Sequence, residues 1–411
     1  MTNLDIATKD STATAPTESS SAARLPRIFA YVGYIIFLIV TAPALLEVGS
    51  RIVLSSYHHF RPLTEVAADN PAYSRYPWGQ GLLKEQSLRV KEIMDTYVPF
   101  RMWGVTEWHG KFMNNDTTAM GAVRRTINPV NSACATQKKE NVWMFGGSTV
   151  YGTNLPDSDT LPSYLSRELN TSSACVEVTN FGVEGYVINQ DLILLIEEVK
   201  AGRRPDVVIF YDGFNDSYLE TVSPGNPVSH LGVKRIKGRL EGSIASRLDF
   251  LKQSSTWLLV RELTNSLRRP HSTRSTSREL PAETEGALNN YEATLRIARI
   301  LGDAFDFKVW AFWQPALVYG HKPVEELLER ASGAAYGSSQ ALVPIYREAE
   351  QRALKSGSFI FLGNMFDDVQ EPLYLDSVHL NPVGNELAAQ AMATYIRESL
   401  QRSGPSAGAT D

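Results

Sequence analysis

Val142-Trp143-Met144-Phe145-Gly146-Gly147-Ser148-Thr149 is the stretch of sequence that decides the fold. Its first four residues are large and apolar, which predicts a buried strand over Val142–Phe145. The two glycines that follow permit a sharp turn, and Ser148 stands where a helix is expected to begin. A serine after two glycines is also common in ordinary turns and helix N-caps, so this stretch alone does not establish a catalytic role.

The same pattern of strand and helix is repeated towards the carboxyl end. Short β-branched and aromatic runs alternate with segments of helical period. Further strands are predicted at Val176–Asn180, Asp206–Tyr211, Phe307–Trp313 and Phe359–Leu362, and helices at Leu161–Leu169, Gln190–Lys200, Leu342–Leu354 and Pro382–Leu400. This alternation indicates parallel strands with helices on both faces. The expected fold is a three-layer α/β/α domain over residues 141–402, with a mostly parallel five-stranded sheet.

Polar and glycine-bearing motifs follow the second and third predicted strands. They are Asn180-Phe181-Gly182-Val183-Glu184-Gly185 and Asp212-Gly213-Phe214-Asn215-Asp216. Ligands of open parallel sheets bind outside the carboxyl ends of the strands. There a glycine N–H or an Asn215 amide can donate to a developing oxyanion. A tight turn and a helix cap are the alternative roles of these residues.

A fourth motif, Asp376-Ser377-Val378-His379, precedes Pro382 at the start of the last predicted helix. An Asp three residues before a His can accept a hydrogen bond from one imidazole nitrogen, which leaves the other to face Ser148. A nucleophile, a base and a group that orients the base are the parts of a Ser-His-Asp site. A surface histidine beside a capping aspartate is the alternative.

Together the four motifs resemble the SGNH (GDSL-type) hydrolase superfamily of esterases, lipases and carbohydrate acetylesterases. The resemblance covers roughly residues 141–400 and implies a flavodoxin-like fold. The sequence contains no recognisable metal cluster or phosphate-cradling loop, so no cofactor or metal is expected. It makes Ser148 the nucleophile, His379 the base and Asp376 the partner that orients it. Gly185 and Asn215 would form the oxyanion hole with the backbone N–H of Ser148.

The chain departs from the namesake Gly-Asp-Ser-Leu motif, because Gly147 replaces the Asp and Thr149 the Leu. Neither position performs the chemistry in the family, so the resemblance still implies activity. Gly185 fits the family spacing better than Gly182 as the oxyanion donor. Substrate contacts are predicted from strand-end position alone, at Tyr151, Tyr186, Phe214 and Gln314.

The amino-acid sequences of the motifs are most similar to those of membrane-anchored SGNH proteins associated with bacterial exopolysaccharide production. This similarity implies an esterase that removes acyl groups, chiefly acetyl, from a cell-surface or exported polysaccharide. Exopolysaccharide assembly machinery would be a further partner. Two alternatives stay open: a polysaccharide O-acetyltransferase that uses the same site, and a non-catalytic glycan-binding component of an export complex.

An apolar segment without charged residues, 28–46, follows a polar tail at 1–27 that is predicted to be disordered. Its length is close to the roughly 20 residues that cross a bilayer. Arg24 and Arg27 flank its start, which places the N-terminus in the cytoplasm and the main domain in the periplasm of a bacterial inner membrane. Ala42-Pro43-Ala44 offers the alternative of a cleaved signal peptide.

The remaining sequence supplies weaker expectations. Cys134 and Cys175 are the only two cysteines and are expected to pair in an oxidising compartment. A net charge of −5 gives no reason to expect nucleic acid as a partner. Residues 52–140 are predicted to pack on the main domain, with a helix at Gln86–Asp95. Residues 217–285 are predicted to be a basic insertion that contains a helix at Phe250–Leu267 and a flexible basic loop.

Overall fold

The computed structural model describes residues 24–60, 71–89, 96–130, 132–135, 137–171, 174–242, 254–267, 284–322 and 340–401. Residues 1–23 of the predicted tail, the last residues of the predicted Gln86–Asp95 helix and the basic loop after residue 267 lie outside these ranges, whereas residues 24–27 of the tail are helical rather than disordered. The chain divides into two units. One comprises residues 1–60 and 248–267, and the other comprises residues 61–247 and 268–411.

The smaller unit pairs two helices, α1 (Arg24–Phe60) and α9 (Ser255–Leu267). Within α1, Phe29–Leu54 is long and apolar enough to cross a membrane, with a mean hydropathy of 2.2 and none of its apolar window buried. A signal sequence near the N-terminus has the same character. α1 is therefore compatible with a single-pass membrane anchor and is longer than the predicted segment 28–46.

The larger unit is built on a mixed eight-stranded sheet. The strands are β3 (Trp108–His109), β4 (Asn114–Thr118), β5 (Gly121–Arg124), β6 (Lys139–Gly146), β7 (Cys175–Asn180), β8 (Val207–Asp212), β9 (Lys308–Trp313) and β10 (Ile360–Phe361). Their order is β10-β9-β8-β6-β7-β5-β4-β3. The five strands from β10 to β7 are parallel and correspond to the five predicted strands, which confirms the predicted fold class.

The sheet has more strands than predicted, because residues 108–124 add three antiparallel strands beside β7. Little in the sequence indicates them, since Asn114–Thr118 is short, polar and without apolar alternation. A separate two-stranded hairpin joins β1 (Tyr97–Val98) to β2 (Met102–Trp103). Residues 96–130 thus extend the sheet of the main domain as well as packing on it.

Helices cover both faces of the sheet. The helices described in the larger unit are, in chain order, α2 (Pro71–Ser74), α3 (Gly79–Arg89), α4 (Ser148–Tyr151), α5 (Leu161–Leu169), α6 (Ile188–Lys200), α7 (Phe214–Val222), α8 (Val233–Leu240), α10 (Thr284–Phe305), α11 (Val343–Ser356) and α12 (Pro382–Gln401). Alternate residues of β6 serve the two faces. Trp143 and Phe145 join the apolar core that contains residues of α6, α10 and α11, whereas Val142 and Met144 join the core with α5 and α12.

A disulfide joins Cys134, in a 3₁₀ turn at Ser132–Ala135, to Cys175 at the start of β7. It connects the segment that leads into β6 with the neighbouring parallel strand. The bridge closes a loop with a sequence separation of 41 residues. In the chain-entropy description, a loop of that size restricts the unfolded chain by about 4 kcal/mol.

Candidate active site

The nucleophile candidate stands at the N-terminus of α4, directly after β6. Gly146 ends the strand where a Cβ would come within 2.4 Å of the carbonyl oxygen of Tyr211, so only glycine fits there without a backbone shift. Gly147 precedes the helix, and a Cβ on it would lie 2.5 Å from Nδ2 of Asn215. The two glycines therefore let the serine turn approach both the neighbouring strand and the Asn215 amide.

Ser148, His379 and Asp376 form one hydrogen-bonded series. Nε2 of His379 lies 2.8 Å from Oγ of Ser148, and Nδ1 lies 2.6 Å from Oδ2 of Asp376. The other carboxylate oxygen, Oδ1, accepts from the backbone N–H groups of Val378 and His379 at 3.0 and 2.8 Å. Both oxygens of Asp376 are thus used, which fixes the carboxylate and, through it, the imidazole ring.

The charges of the site favour a protonated imidazole. Burial raises the pKa of Asp376, but the neighbouring His379 and the two backbone donors lower it to below its ordinary value. Burial acts to lower the pKa of His379, while the negative charges of Asp376 and of Glu184 and the bond to Asp376 raise it above its ordinary value. The site therefore stabilises the imidazolium that forms when Ser148 gives up its proton.

Two candidate oxyanion glycines follow β7, and the structure separates them. The N–H of Gly182 donates to Oδ1 of Asn180 at 2.9 Å, and a Cβ at Gly182 would strike the backbone of α4. Gly182 is therefore a packing glycine. Gly185 adopts a left-handed conformation with φ of 76°, and its N–H donates to no acceptor in the described part of the chain. Gly185 is thus the better donor candidate of the two.

Asn215 lies in the first turn of α7, and its amide is close to the serine turn. Nδ2 donates one hydrogen to the carbonyl oxygen of Tyr186 at 2.7 Å. A primary amide carries two hydrogens, so the second can serve an oxyanion. The bond also ties the Asn215 loop to the loop that bears Gly185.

Asp216 makes a second tie between the same two loops. Oδ1 accepts from the backbone N–H of Ile188 at 3.1 Å, and Oδ2 accepts from that of Gly213 at 3.3 Å. Burial raises the pKa of this carboxyl to about 6, although the backbone donors oppose that shift. Asp216 therefore joins the N-terminus of α6 to that of α7 and keeps the two candidate oxyanion loops in register.

A pair of fully buried carboxyl groups lies behind these loops. Asp191 on α6 and Asp212 at the end of β8 are close enough that each carboxyl charge acts on the pKa of the other. Neither oxygen of Asp191 has a hydrogen-bond partner among the described residues, and neither has Oδ2 of Asp212. Burial, together with the neighbouring carboxyl charges, raises the pKa of both well above the ordinary value. These surroundings favour the protonated form of the two carboxyls over the charged form.

Sequence reasoning assigned no role to Asp191, Asp212 or Asp216, although Asp212 and Asp216 belong to a quoted motif. For Asp191 the sequence pattern does indicate a buried carboxyl. It lies three residues after Ile188, one before Leu192 and four before Leu195, on the apolar face of a helix whose neighbours are buried. A carboxyl on such a face must be neutral or paired.

Two of the predicted substrate-binding residues are wrong. Tyr151 is 1% exposed and its hydroxyl donates to Oδ1 of Asn115 at 3.0 Å. Tyr186 is wholly buried, and its hydroxyl donates to the carbonyl oxygen of Trp103 and accepts from Arg101. Both rings follow strand ends but turn inwards, so neither can contact a substrate.

The other two predicted contacts lie near the serine turn. Phe214 is partly buried at the first position of α7, next to Asn215. Gln314 follows β9 and is 4% exposed, with Oε1 accepting from the hydroxyl of Thr149 at 2.6 Å. Gln314 therefore supports the residue after the nucleophile.

Residues 96–130 support the site from outside the five parallel strands. The indole N–H of Trp103 donates to the carbonyl oxygen of Glu184 at 2.9 Å, directly before Gly185. Arg124 is fully buried, forms an ion pair with Asp157 at 2.8 Å and lies over the ring of Tyr151 in α4. The extension thus contacts both the loop that bears Gly185 and the helix α4 that begins at Ser148.

Within the described residues, no group of three or more His, Cys, Asp or Glu side chains is placed to hold a metal ion. The polar groups that converge on Ser148 are the imidazole of His379, the amide of Asn215 and backbone N–H donors. This arrangement can activate a hydroxyl and stabilise an oxyanion, which are the two requirements of acyl transfer.

Comparison with known protein families agrees with this chemistry. The sequence model of the GDSL-like lipase/acylhydrolase family matches residues 142–392. Similar solved structures include an acetyl xylan esterase (16% identity, 62% of this chain and 99% of that one, TM-score 0.33), a lipolytic G-D-S-L protein from Veillonella parvula (12%, 63% and 100%, 0.34) and an acetylxylan esterase from Geobacillus stearothermophilus (18%, 63% and 94%, 0.32). No curated protein sequence matches. The family match spans more than half of the chain, which therefore belongs to the GDSL-like lipase/acylhydrolase family and is an esterase or acylhydrolase of the SGNH type.

Proposed function

We propose that this chain is a serine esterase that removes acyl groups, above all acetyl, from a polysaccharide. The observation that carries the proposal is the hydrogen-bonded series from Ser148 through His379 to Asp376. It supplies a nucleophile with a base in hydrogen-bond reach and an orienting carboxylate.

In the proposed reaction, Oγ of Ser148 attacks the ester carbonyl carbon while Nε2 of His379 takes its proton. The negative charge that develops on the carbonyl oxygen is received by the N–H groups of Ser148 and Gly185 and by the second amide hydrogen of Asn215. The C–O bond to the sugar then breaks, and His379 returns the proton to the leaving sugar oxygen. Water repeats these steps on the acyl-serine and releases the carboxylic acid.

The polysaccharide substrate is proposed on the resemblance of the Phe-Gly-Gly-Ser-Thr and Asp-Ser-x-His-Leu-Asn motifs to membrane-anchored SGNH proteins of exopolysaccharide production. On this proposal an acylated exported glycan is the substrate, and components of the exopolysaccharide assembly machinery are the protein partners. The glycan would be presented outside the cytoplasm, where the hydrolase unit would meet it.

The proposed location is a bacterial inner membrane, with α1 as the anchor, residues before Arg24 in the cytoplasm and the hydrolase unit in the periplasm. Arg24 and Arg27 at the start of α1 support this orientation. The Cys134–Cys175 disulfide is consistent with an oxidising compartment. An N-terminal tag that stays on the membrane-bound protein, and is cut by protease only after the membrane is opened, would support this location; loss of the tag would show cleavage.

The test of the chemistry is labelling of Ser148 by a serine-directed phosphonate, read by mass spectrometry, together with hydrolysis of an aryl acetate. We expect one phosphonate per chain on Ser148, and neither labelling nor hydrolysis in Ser148→Ala. Thr149→Val is the matched control, because it removes the neighbouring hydroxyl and keeps the nucleophile, so the phosphonate should still label Ser148. Full activity of Ser148→Ala would refute the assignment.

The acyl acceptor is decided by product analysis. The membrane-bound chain is incubated with an acetylated oligosaccharide, and the products are separated by mass. Free acetate with a deacetylated sugar supports the esterase. Transfer of acetyl to an added unacetylated oligosaccharide, in place of acetate release, would identify an O-acetyltransferase instead.

A further inference from the structure

Helix α9 exposes a stripe of apolar side chains. Trp257, Val260 and Leu263 are 46%, 48% and 54% exposed. They are spaced three residues apart, so they lie along one side of the helix. Leu258 and Leu259 are half-buried, and α9 packs on α1. The helix is therefore apolar towards α1 and also along the stripe formed by Trp257, Val260 and Leu263.

The N-terminus of α9 is tied to α1 through one carboxylate. Glu47 accepts from the backbone N–H of Ser255 at 2.8 Å and from the N–H and hydroxyl of Thr256 at 3.1 and 3.0 Å. The first N–H groups of a helix lack intrahelical partners and carry positive potential, so a carboxylate is stabilising there. Arg51, one turn further along α1, lies 3.3 Å from the same carboxylate.

The position of Glu47 within α1 places this junction at one end of the apolar segment. At about 1.5 Å per residue, Glu47 lies about 27 Å from Phe29 along the helix axis. The hydrocarbon core of a bilayer is about 30 Å thick. If Phe29 lies at the boundary next to Arg27, Glu47 and Arg51 lie at the opposite boundary, where charged groups reach water and headgroups.

We infer that α9 is an interfacial membrane helix, which lies at the boundary marked by Glu47 with Trp257, Val260 and Leu263 against lipid acyl chains. A tryptophan in its first turn is placed where aromatic residues are enriched in membrane proteins. Both helices of the smaller unit expose apolar side chains, and α9 is hydrogen-bonded to α1. Lipid is therefore the occupant that two joined helices with exposed apolar side chains favour. The inference depends on α1 being in a membrane and is independent of the catalytic proposal.

The test places a single fluorophore on the stripe of the full chain. Both native cysteines are in the disulfide, so Val260→Cys introduces the one reactive thiol. The thiol is labelled with an environment-sensitive nitrobenzoxadiazole dye, and the protein is reconstituted into vesicles of phosphatidylcholine and phosphatidylglycerol. Some vesicles carry a nitroxide near the lipid headgroup and others carry it near the end of the acyl chain.

Two further positions calibrate the measurement. Ile300→Cys on α10 is an equally apolar position, 65% exposed in the hydrolase unit, and serves as the aqueous control. Ile39→Cys, 66% exposed in the middle of the apolar segment of α1, serves as the deep control. Circular dichroism and thermal unfolding show whether each labelled protein is folded, and Leu263→Cys replaces Val260→Cys if that variant is not.

We expect the label at Val260 to emit at shorter wavelength than the label at Ile300, and to be quenched more by the headgroup nitroxide than by the chain-end nitroxide. The label at Ile39 should show the reverse order of quenching. Emission at Val260 that equals emission at Ile300 would overturn the inference, because the stripe would then face water. A shift to shorter wavelength without quenching by either lipid would also overturn it, because protein would then cover the stripe.

Discussion

Two sets of aspartates near the nucleophile have opposite surroundings. Asp376 is 35% exposed at its side chain, lies beside an imidazole and accepts from two backbone N–H groups, and its pKa is lowered. Asp191 and Asp212 are buried beside each other and form no ion pair within the described chain, and their pKa values are raised. The residue type is the same, but one set is held ionised and the other is held largely neutral.

The difference between Asp376 and the Asp191/Asp212 pair shows where this fold places negative charge. A full charge at Asp376 would stabilise the imidazolium that the proposed attack by Ser148 forms at His379. Two full charges at Asp191 and Asp212 would lie behind the loops that must receive an oxyanion, and would oppose it. Burial and mutual repulsion raise the pKa values of both carboxyls and so oppose the presence of two charges there. Surroundings therefore decide whether an aspartate serves catalysis or structure here.

Asp376→Asn is expected to have the largest effect. The amide keeps the shape but loses the charge that raises the pKa of His379 and favours the wrong imidazole tautomer. We expect kcat/KM on an aryl acetate to fall by about 10⁴, as for the corresponding aspartate of serine proteases, with little change in unfolding midpoint. The matched control is Asp368→Asn, a change of the same kind outside the site. A loss under tenfold would show that Asp376 does not orient the base.

Asp216→Ala should weaken the tie between the two oxyanion loops. It leaves the buried N–H groups of Ile188 and Gly213 without their acceptor, which costs about 1–3 kcal/mol for each group. We expect a lower free energy of unfolding in urea and a fall in kcat, with KM little changed. Asp216→Asn retains one acceptor and should recover part of both losses. An unchanged kcat in the alanine variant would mean that the loops keep their register without this carboxylate.

Glu184→Gln is expected to shift the pH profile and leave the maximum rate nearly unchanged. Only neutral His379 can take the proton of Ser148, so kcat/KM should fall as pH decreases through the raised pKa of His379, above the ordinary 6.5. Removing the Glu184 charge lowers that pKa, so the acid limb should move to lower pH. Glu348→Gln on α11 is the control and should leave the acid limb of the pH profile in place. An unshifted acid limb in Glu184→Gln would show that the Glu184 charge does not act on His379.

Asp212→Asn should have the smallest effect at neutral pH, in contrast to the same substitution at Asp376. The Asn amide keeps the shape of a protonated carboxyl, so kcat/KM should stay within a few-fold. Because both carboxyls have raised pKa values when folded, their contribution to stability is complete below the ordinary pKa of 3.8 and is lost as pH rises from there through the raised values. Wild type should therefore lose more unfolding free energy than Asp212→Asn as pH rises from that value. Parallel losses would show that Asp212 does not titrate with a raised pKa.

The sequence was sufficient to predict those strands and site residues that a short stretch of neighbouring residues indicates. Parallel strands were predictable from apolar runs such as Val142–Phe145, and Ser148, Asn215 and His379 from their positions after strands or before a helix. β4 was not predictable, because Asn114–Thr118 is held by pairing with its neighbours rather than by its own propensity. Tyr151 and Tyr186 were misassigned since position after a strand does not tell which way a ring points. Asp191 needed knowledge of its partner, which is 21 residues away in sequence and visible only once the chain has folded.

The three antiparallel strands β3, β4 and β5 have a practical consequence for producing the protein in parts. A fragment cut at residue 142, where the family match begins, would lose them and leave β7 as an open edge. Unpaired N–H and C=O groups along such an edge are a template for association with other chains. The fragment would also leave Asp157 buried without Arg124. Recombinant versions of this enzyme should therefore begin no later than residue 96, whatever boundary the family match suggests.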